Sequence, residues 1–117
     1  MKFKGTTACF YRRSDGKLIG YTTTGHTGYA QSGSDIVCAA VSALTQTTAN
    51  GIINILKAPS RFFVDDQDAS LELLLNPEID EETLNGAQLL FKTLVEGLES
   101  IQADHPKNVR VIFQERR

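Results

Sequence analysis

His26 and Cys38, twelve positions apart, are the residue types in this chain best suited to covalent chemistry. Imidazole takes up and returns a proton near neutrality, and a thiol becomes a strong nucleophile once ionised. Brought together by a short connection, the two form the minimum constellation for nucleophilic thiol catalysis. That chemistry also needs hydrogen-bond donors aimed at a developing oxyanion, and backbone amides at a helix start beside Cys38 are the expected source. Asp35 has two readings: it orients the imidazole, or it only caps the helix. The cap is favoured, because a carboxylate beside a thiolate is repulsive. Ser42, one helical turn beyond Cys38, faces the same side and either bonds in the site or bonds its own backbone. Gly28 and Gly33 flank a segment rich in small residues, expected to be a mobile loop able to close over an extended peptide.

These side chains need a scaffold. Lys2 to Arg12 and Leu18 to Thr24 read as two strands joined at Ser14-Asp15-Gly16-Lys17, where Gly16 is free to take positive φ. Cys9 on the first strand reads as a packed residue, since a free Cys behaves as a small buried hydrophobe. Ile36 to about Leu56 reads as a helix, with small and apolar residues at Ile36, Ala39, Ala40, Ala43, Leu44, Thr47, Gly51, Ile52, Ile55 and Leu56. Capped by Asp35 or Ser34, that helix would hold Cys38 at its third position, where the positive end of the macrodipole stabilises a thiolate. Ala39, Ala40 and Ala43 would let it lie close to a sheet. Gly51 marks a close approach or an early end.

Lys57-Ala58-Pro59-Ser60 stops the helix, and Arg61 to Val64 and Ser70 to Leu75 read as strands around the acidic tip Asp65-Asp66-Gln67-Asp68. That tip reads as a solvated turn, while Leu71, Leu73 and Leu75 share one apolar face. The second helix is the clearest element. Asp80 caps it, Glu81 and Glu82 occupy its first turn, and Leu84, Ala87, Phe91, Leu94, Leu98 and Ile101 form a stripe widened by Leu90 and Val95. Val109, Val111 and Phe113 alternate along a last strand. The order β-β-α-β-β-α-β predicts an α/β fold of the α+β type: a mixed or antiparallel sheet with two helices packed on it.

The chain is 117 residues long, which fits a single domain. Its formal charge of -2 offers no global positive field for nucleic acid. Met1-Lys2-Phe3-Lys4 does not lead into a secretory apolar region, and no apolar run approaches the ~20 residues of a membrane helix. Cys9, His26, Cys38 and His105 lack the paired spacing of a zinc site. A cytoplasmic domain needing neither metal nor cofactor is expected.

Gly25-His26, Gly28-Tyr29-Ala30, Gly33 and the run from Asp35-Ile36-Val37-Cys38 to Ala43-Leu44 together carry a resemblance. The chain resembles the ribosomal-processing cysteine protease (Prp) family, and the likeness extends over its whole length. It departs at Thr27, where the family more often has Ala. The resemblance implies that His26 and Cys38 form a catalytic dyad, and that the substrate is the N-terminal extension of a large-subunit bacterial ribosomal protein. It also implies a homodimer in the cytoplasm. Two other classes stay open: a non-catalytic module that binds the ribosomal protein, and a different thiol enzyme. Were the latter a redox protein, Cys9 is the only candidate resolving thiol.

Overall fold

The structure, a computed structural model, describes residues 3–25, 32–65, 67 and 69–116, with the side chains of 32–35 excepted. Five strands and two helices follow the predicted order: β1 (Thr6–Arg12), β2 (Leu18–Thr24), α1 (Ser32–Asn50), β3 (Ser60–Asp65), β4 (Ser70–Leu75), α2 (Glu81–Asp104) and β5 (Val109–Glu115). They build one mixed sheet in the order β3-β4-β2-β1-β5. β1 is antiparallel to β2 and parallel to β5, whereas β2 and β3 both run antiparallel to β4. The β1–β2 turn has Gly16 at φ 91°, and Asp15 accepts a hydrogen bond from the Lys17 amide at 3.1 Å.

Register sets the core. Phe10 pairs with Tyr21 and with Phe113, and Tyr21 pairs with Leu73, so these side chains share a face. Phe91 of α2 meets Tyr21 edge-on, with ring centroids 6.0 Å apart. Leu71, Leu73 and Leu75 are buried, as their alternation predicts. Both helices lie on this face, and α1 touches α2. The opposite face carries Cys9, Tyr11, Thr22 and Leu74, with no helix over it among the described residues.

α2 follows its sequence closely. Asp80 caps it by accepting from the Thr83 amide at 2.7 Å, and Leu84, Ala87, Phe91, Leu94 and Leu98 are buried. Gln88, on the same stripe, is buried as well. Its amide accepts from the Leu18 N–H at 2.6 Å and donates to the Leu18 carbonyl at 2.8 Å, tying α2 to the start of β2.

α1 corrects three expectations. It starts at Ser32, not after Asp35, so Asp35 is its fourth residue, Gly33 its second and Cys38 its seventh. Ser and Gly are tolerated here because the first amides of a helix need no intrahelical partner. The buried stripe is Val37, Val41, Thr45, Ala49 and Ile52, whereas Ala39 and Ala43 are exposed and Ile36 and Ile55 are 70% and 84% exposed. Small and apolar residues surround this helix, so two stripes compete. Val37 and Val41 take the core while Leu44 packs at its margin, and the Thr45 hydroxyl is satisfied by donating to the Val41 carbonyl at 2.9 Å. Gly51 marks the early end of the regular α-helix and not a close approach: the chain widens there into a π turn over Gly51–Ile55, with the Leu56 amide bonded to the Gly51 carbonyl at 2.8 Å. Lys57, at φ 58°, then ends it. The stretch Ile36–Ile55 is, by length and composition, long and apolar enough to cross a membrane, contrary to the expectation from its sequence. In this fold it lies along the sheet.

Candidate functional site

Cys38 lines a cavity of about 150 Å³ between α1 and one end of the sheet. Ser42 and Gln46 follow it along the helix at steps of four and line the same cavity. Thr6, Thr23 and Gly25 form the wall from β1 and β2; Val64, Asp65, Ala69, Ser70 and Leu71 close it from the β3–β4 hairpin. Cys38 is half-buried, which leaves its sulfur reachable by a ligand.

Gly25 fixes how the chain leaves β2 for His26. It has φ 80°, and a β-carbon there would stand 2.8 Å from the Gly5 carbonyl oxygen. Its own carbonyl accepts from the Thr6 hydroxyl at 3.3 Å. Gly5 is in turn pressed against the Asn108 backbone, and the Thr6 amide donates to the Asn108 carbonyl at 2.8 Å. The ends of β2, β1 and β5 therefore lock one another beside the cavity. His26, Thr27 and Gly28 lie outside the described residues, as does the side chain of Asp35.

The seventh-position placement of Cys38 changes the oxyanion argument. An amide that deep in a helix is bonded to the carbonyl four residues back, so the Cys38 N–H is not a free donor, and the macrodipole fades beyond the first turn. Besides Cys38, the polar residues of α1 that line the cavity, among the described side chains, are Ser42, Thr45 and Gln46, and the Thr45 hydroxyl is already given to the Val41 carbonyl. The i, i+4, i+8 spacing from Cys38 pointed to Ser42 and Gln46, yet Gln46 escaped notice as one polar residue in a helix of mixed character. Asp65 was also missed. Its sequence context reads as a solvated turn, and it does accept from the Gln67 amide at 3.0 Å, but it lines the cavity too.

Cys9 is buried on the sheet face away from the helices, its thiol directed at the Gln114 side-chain oxygen at 3.6 Å. Burial pushes that thiol above its ordinary range. The sheet stands between Cys9 and Cys38, and no disulfide joins them. That arrangement removes the support for a redox pair.

The chain is 28% identical over 104 residues to the ribosomal processing cysteine protease Prp of Bacillus subtilis, covering 89% of this chain and 93% of that protein. It is 26% identical to the Staphylococcus aureus (strain Mu50) protein of the same name, over 86% of this chain and 91% of the relative. A solved Streptococcus mutans protein superposes with a TM-score of 0.82 at 27% identity, covering 97% of each chain. An S. aureus Prp structure with a covalently linked product peptide gives 0.78 at 25% identity, over 93% of this chain and 99% of that one. The model of the family described as cysteine protease Prp matches residues 6–110. With the sheet order, the helix carrying Cys38 and the cavity beside it in place, this chain belongs to the Prp cysteine protease family.

Proposed function

We propose that this protein is a cysteine endopeptidase that removes the N-terminal extension of a large-subunit bacterial ribosomal protein. Cys38 is its nucleophile, and His26 its general base and acid. One observation carries the reading: in a chain of this protease family, a half-buried Cys38 lines a cavity whose wall includes Gly25, the residue bonded to His26. The named activity of the B. subtilis and S. aureus relatives supports the choice of substrate.

His26 takes the Cys38 proton, and the thiolate attacks a backbone carbonyl of the extended peptide. The Ser42 hydroxyl, one helical turn from Cys38 on the same cavity, supplies a donor to the oxyanion, since the Cys38 amide is committed to the helix. The imidazolium then protonates the leaving amine, and water, deprotonated by His26, hydrolyses the thioester. The protein works as a homodimer in the bacterial cytoplasm, a reading that rests on the family resemblance and is checked by light scattering and cell fractionation.

The test is cleavage of a synthetic peptide spanning the extension of the organism's own ribosomal protein, with products mapped by mass spectrometry. A single cut by wild type, lost in both Cys38→Ala and His26→Ala, is expected. Tight binding without a cut would establish the non-catalytic module instead.

A further inference from the structure

The sheet has two edges, and they are finished differently. On β5 the Arg12 guanidinium lies over the Phe113 ring, 5.1 Å from its centroid, and the Gln114 side chain is engaged by Cys9. Ile112 and Phe113 there are 40% and 38% exposed; on β3 three consecutive apolar residues, Phe62, Phe63 and Val64, are 39%, 62% and 43% exposed, and no cation lies over either ring among the described residues. Alternate residues of an edge strand turn their N–H and C=O groups away from the sheet. Folded proteins normally blunt such an edge with charge, proline or a covering element; β3 carries charge at Arg61 and Asp65 but none across Phe62, Phe63 and Val64, and that apolar centre is a place where another strand pairs.

Position says which strand. At its C-terminal end β3 supplies Val64 and Asp65 to the wall of the Cys38 cavity. At its N-terminal end Ser60 and Arg61 border a larger cavity of about 520 Å³, with Leu74 and Ile79 in its lining. The open edge is thus a track of roughly 17–20 Å running from one depression to the thiol. We infer that the substrate's extended segment adds to β3 as a sixth strand, which delivers its scissile bond to the Cys38 cavity. This rests on the catalytic reading above for the bond that is cut, not for the binding. Main-chain hydrogen bonds hold such a peptide, and side-chain selection falls on alternate positions. Phe62 and Val64 share the helix-side face with Leu73 and Leu71, their partners in register, and Phe63 shares the open face with Glu72. Apolar side chains at alternate substrate positions therefore pack beside Phe62 and Val64, and the interleaved ones beside Phe63.

Two measurements test this with the full chain and the extension peptide. In Cys38→Ala, adding peptide is expected to slow hydrogen exchange at the outward β3 amides at least tenfold, with no such change on β5. With wild type, N-methylating the peptide backbone at every second residue on one side of the scissile bond is expected to raise KM at least tenfold. The interleaved positions should change it less than threefold, and Phe63→Lys should raise KM with little change in kcat. No β3 protection, or a flat N-methyl scan, overturns the inference. So does β3 protection that grows with protein concentration in the absence of peptide, which would assign the edge to a second copy. Absence of cleavage by wild type is a separate result, because exchange is read on the inactive variant; it overturns the catalytic reading and not the docking.

Discussion

Gly25 and Gly16 both take positive φ, yet their surroundings differ. A β-carbon at Gly16 meets nothing within 4 Å, whereas one at Gly25 meets the Gly5 carbonyl at 2.8 Å. Gly16→Ala should therefore cost about 1 kcal/mol and leave peptide cleavage intact. Gly25→Ala should cost about 1–3 kcal/mol and depress cleavage, because it moves the chain where it enters His26. Thermal melts and kcat/KM for the pair check this contrast. A second residue-scale case is Tyr21, whose hydroxyl donates to the Thr45 carbonyl at 2.7 Å beneath α1. Burial pushes that phenol far above its ordinary range. Tyr21→Phe should destabilise by about 1 kcal/mol, read as a lower denaturation midpoint with an unchanged m-value. Neither its burial nor its helix partner was legible, because the alternation along Leu18 to Thr24 is imperfect and that bond joins residues 24 positions apart.

Between elements, the strongest polar tie is Gln88 to both backbone groups of Leu18. Gln88→Leu keeps the apolar stripe but strands a buried N–H and a buried carbonyl, so it should cost about 2–4 kcal/mol, measured by urea denaturation. At the β1–β2 turn, Asp15 accepts from the Arg13 guanidinium and the Lys17 amide, and these bonds hold its carboxyl at about 2. The unfolded chain binds that proton more readily, so the contribution is present above pH 4 and lost as pH falls toward 2. The Tm gap between wild type and Asp15→Asn should accordingly be widest above pH 4 and close by pH 2, and shrink with salt because the pair is exposed. The same scale explains the misplaced stripe on α1. Helical spacing was correct, but apolar type alone did not choose between the Ile36–Ala40–Leu44 side and the Val37–Val41–Thr45 side. Tertiary packing split the two: Val37, Val41 and Thr45 are buried, Leu44 and Leu56 are partly buried against Gly97 and Gly86 of α2, and Ile36 stays exposed.

For the whole molecule, the sheet divides the two cysteines, and intact protein under mild oxidation should show no Cys9–Cys38 bridge by non-reducing mass spectrometry. Charge is distributed unevenly as well. Glu81 pairs with Lys17 at 2.9 Å beside the β1–β2 turn, at the end of β1 opposite the Cys38 cavity. Glu81 is therefore remote from the thiol, and we expect attraction of a basic peptide toward the cavity to fall to Asp65. Association rates measured by stopped flow should drop as salt rises, and drop less in Asp65→Asn.

The sequence by itself determined the seven elements and their order, the apolar faces of β4 and α2, the turn at Gly16 and the pair of residues proposed for catalysis. Those features are local: period, capping and turn chemistry act over a few residues, and the chain displays them directly. Only the tertiary structure decided which strands are neighbours, where Cys38 stands in its helix, and that Gln46, Val64 and Asp65 share its cavity. Each of those depends on contacts between segments far apart in the chain, where the energy of packing one face against another outweighs any local preference.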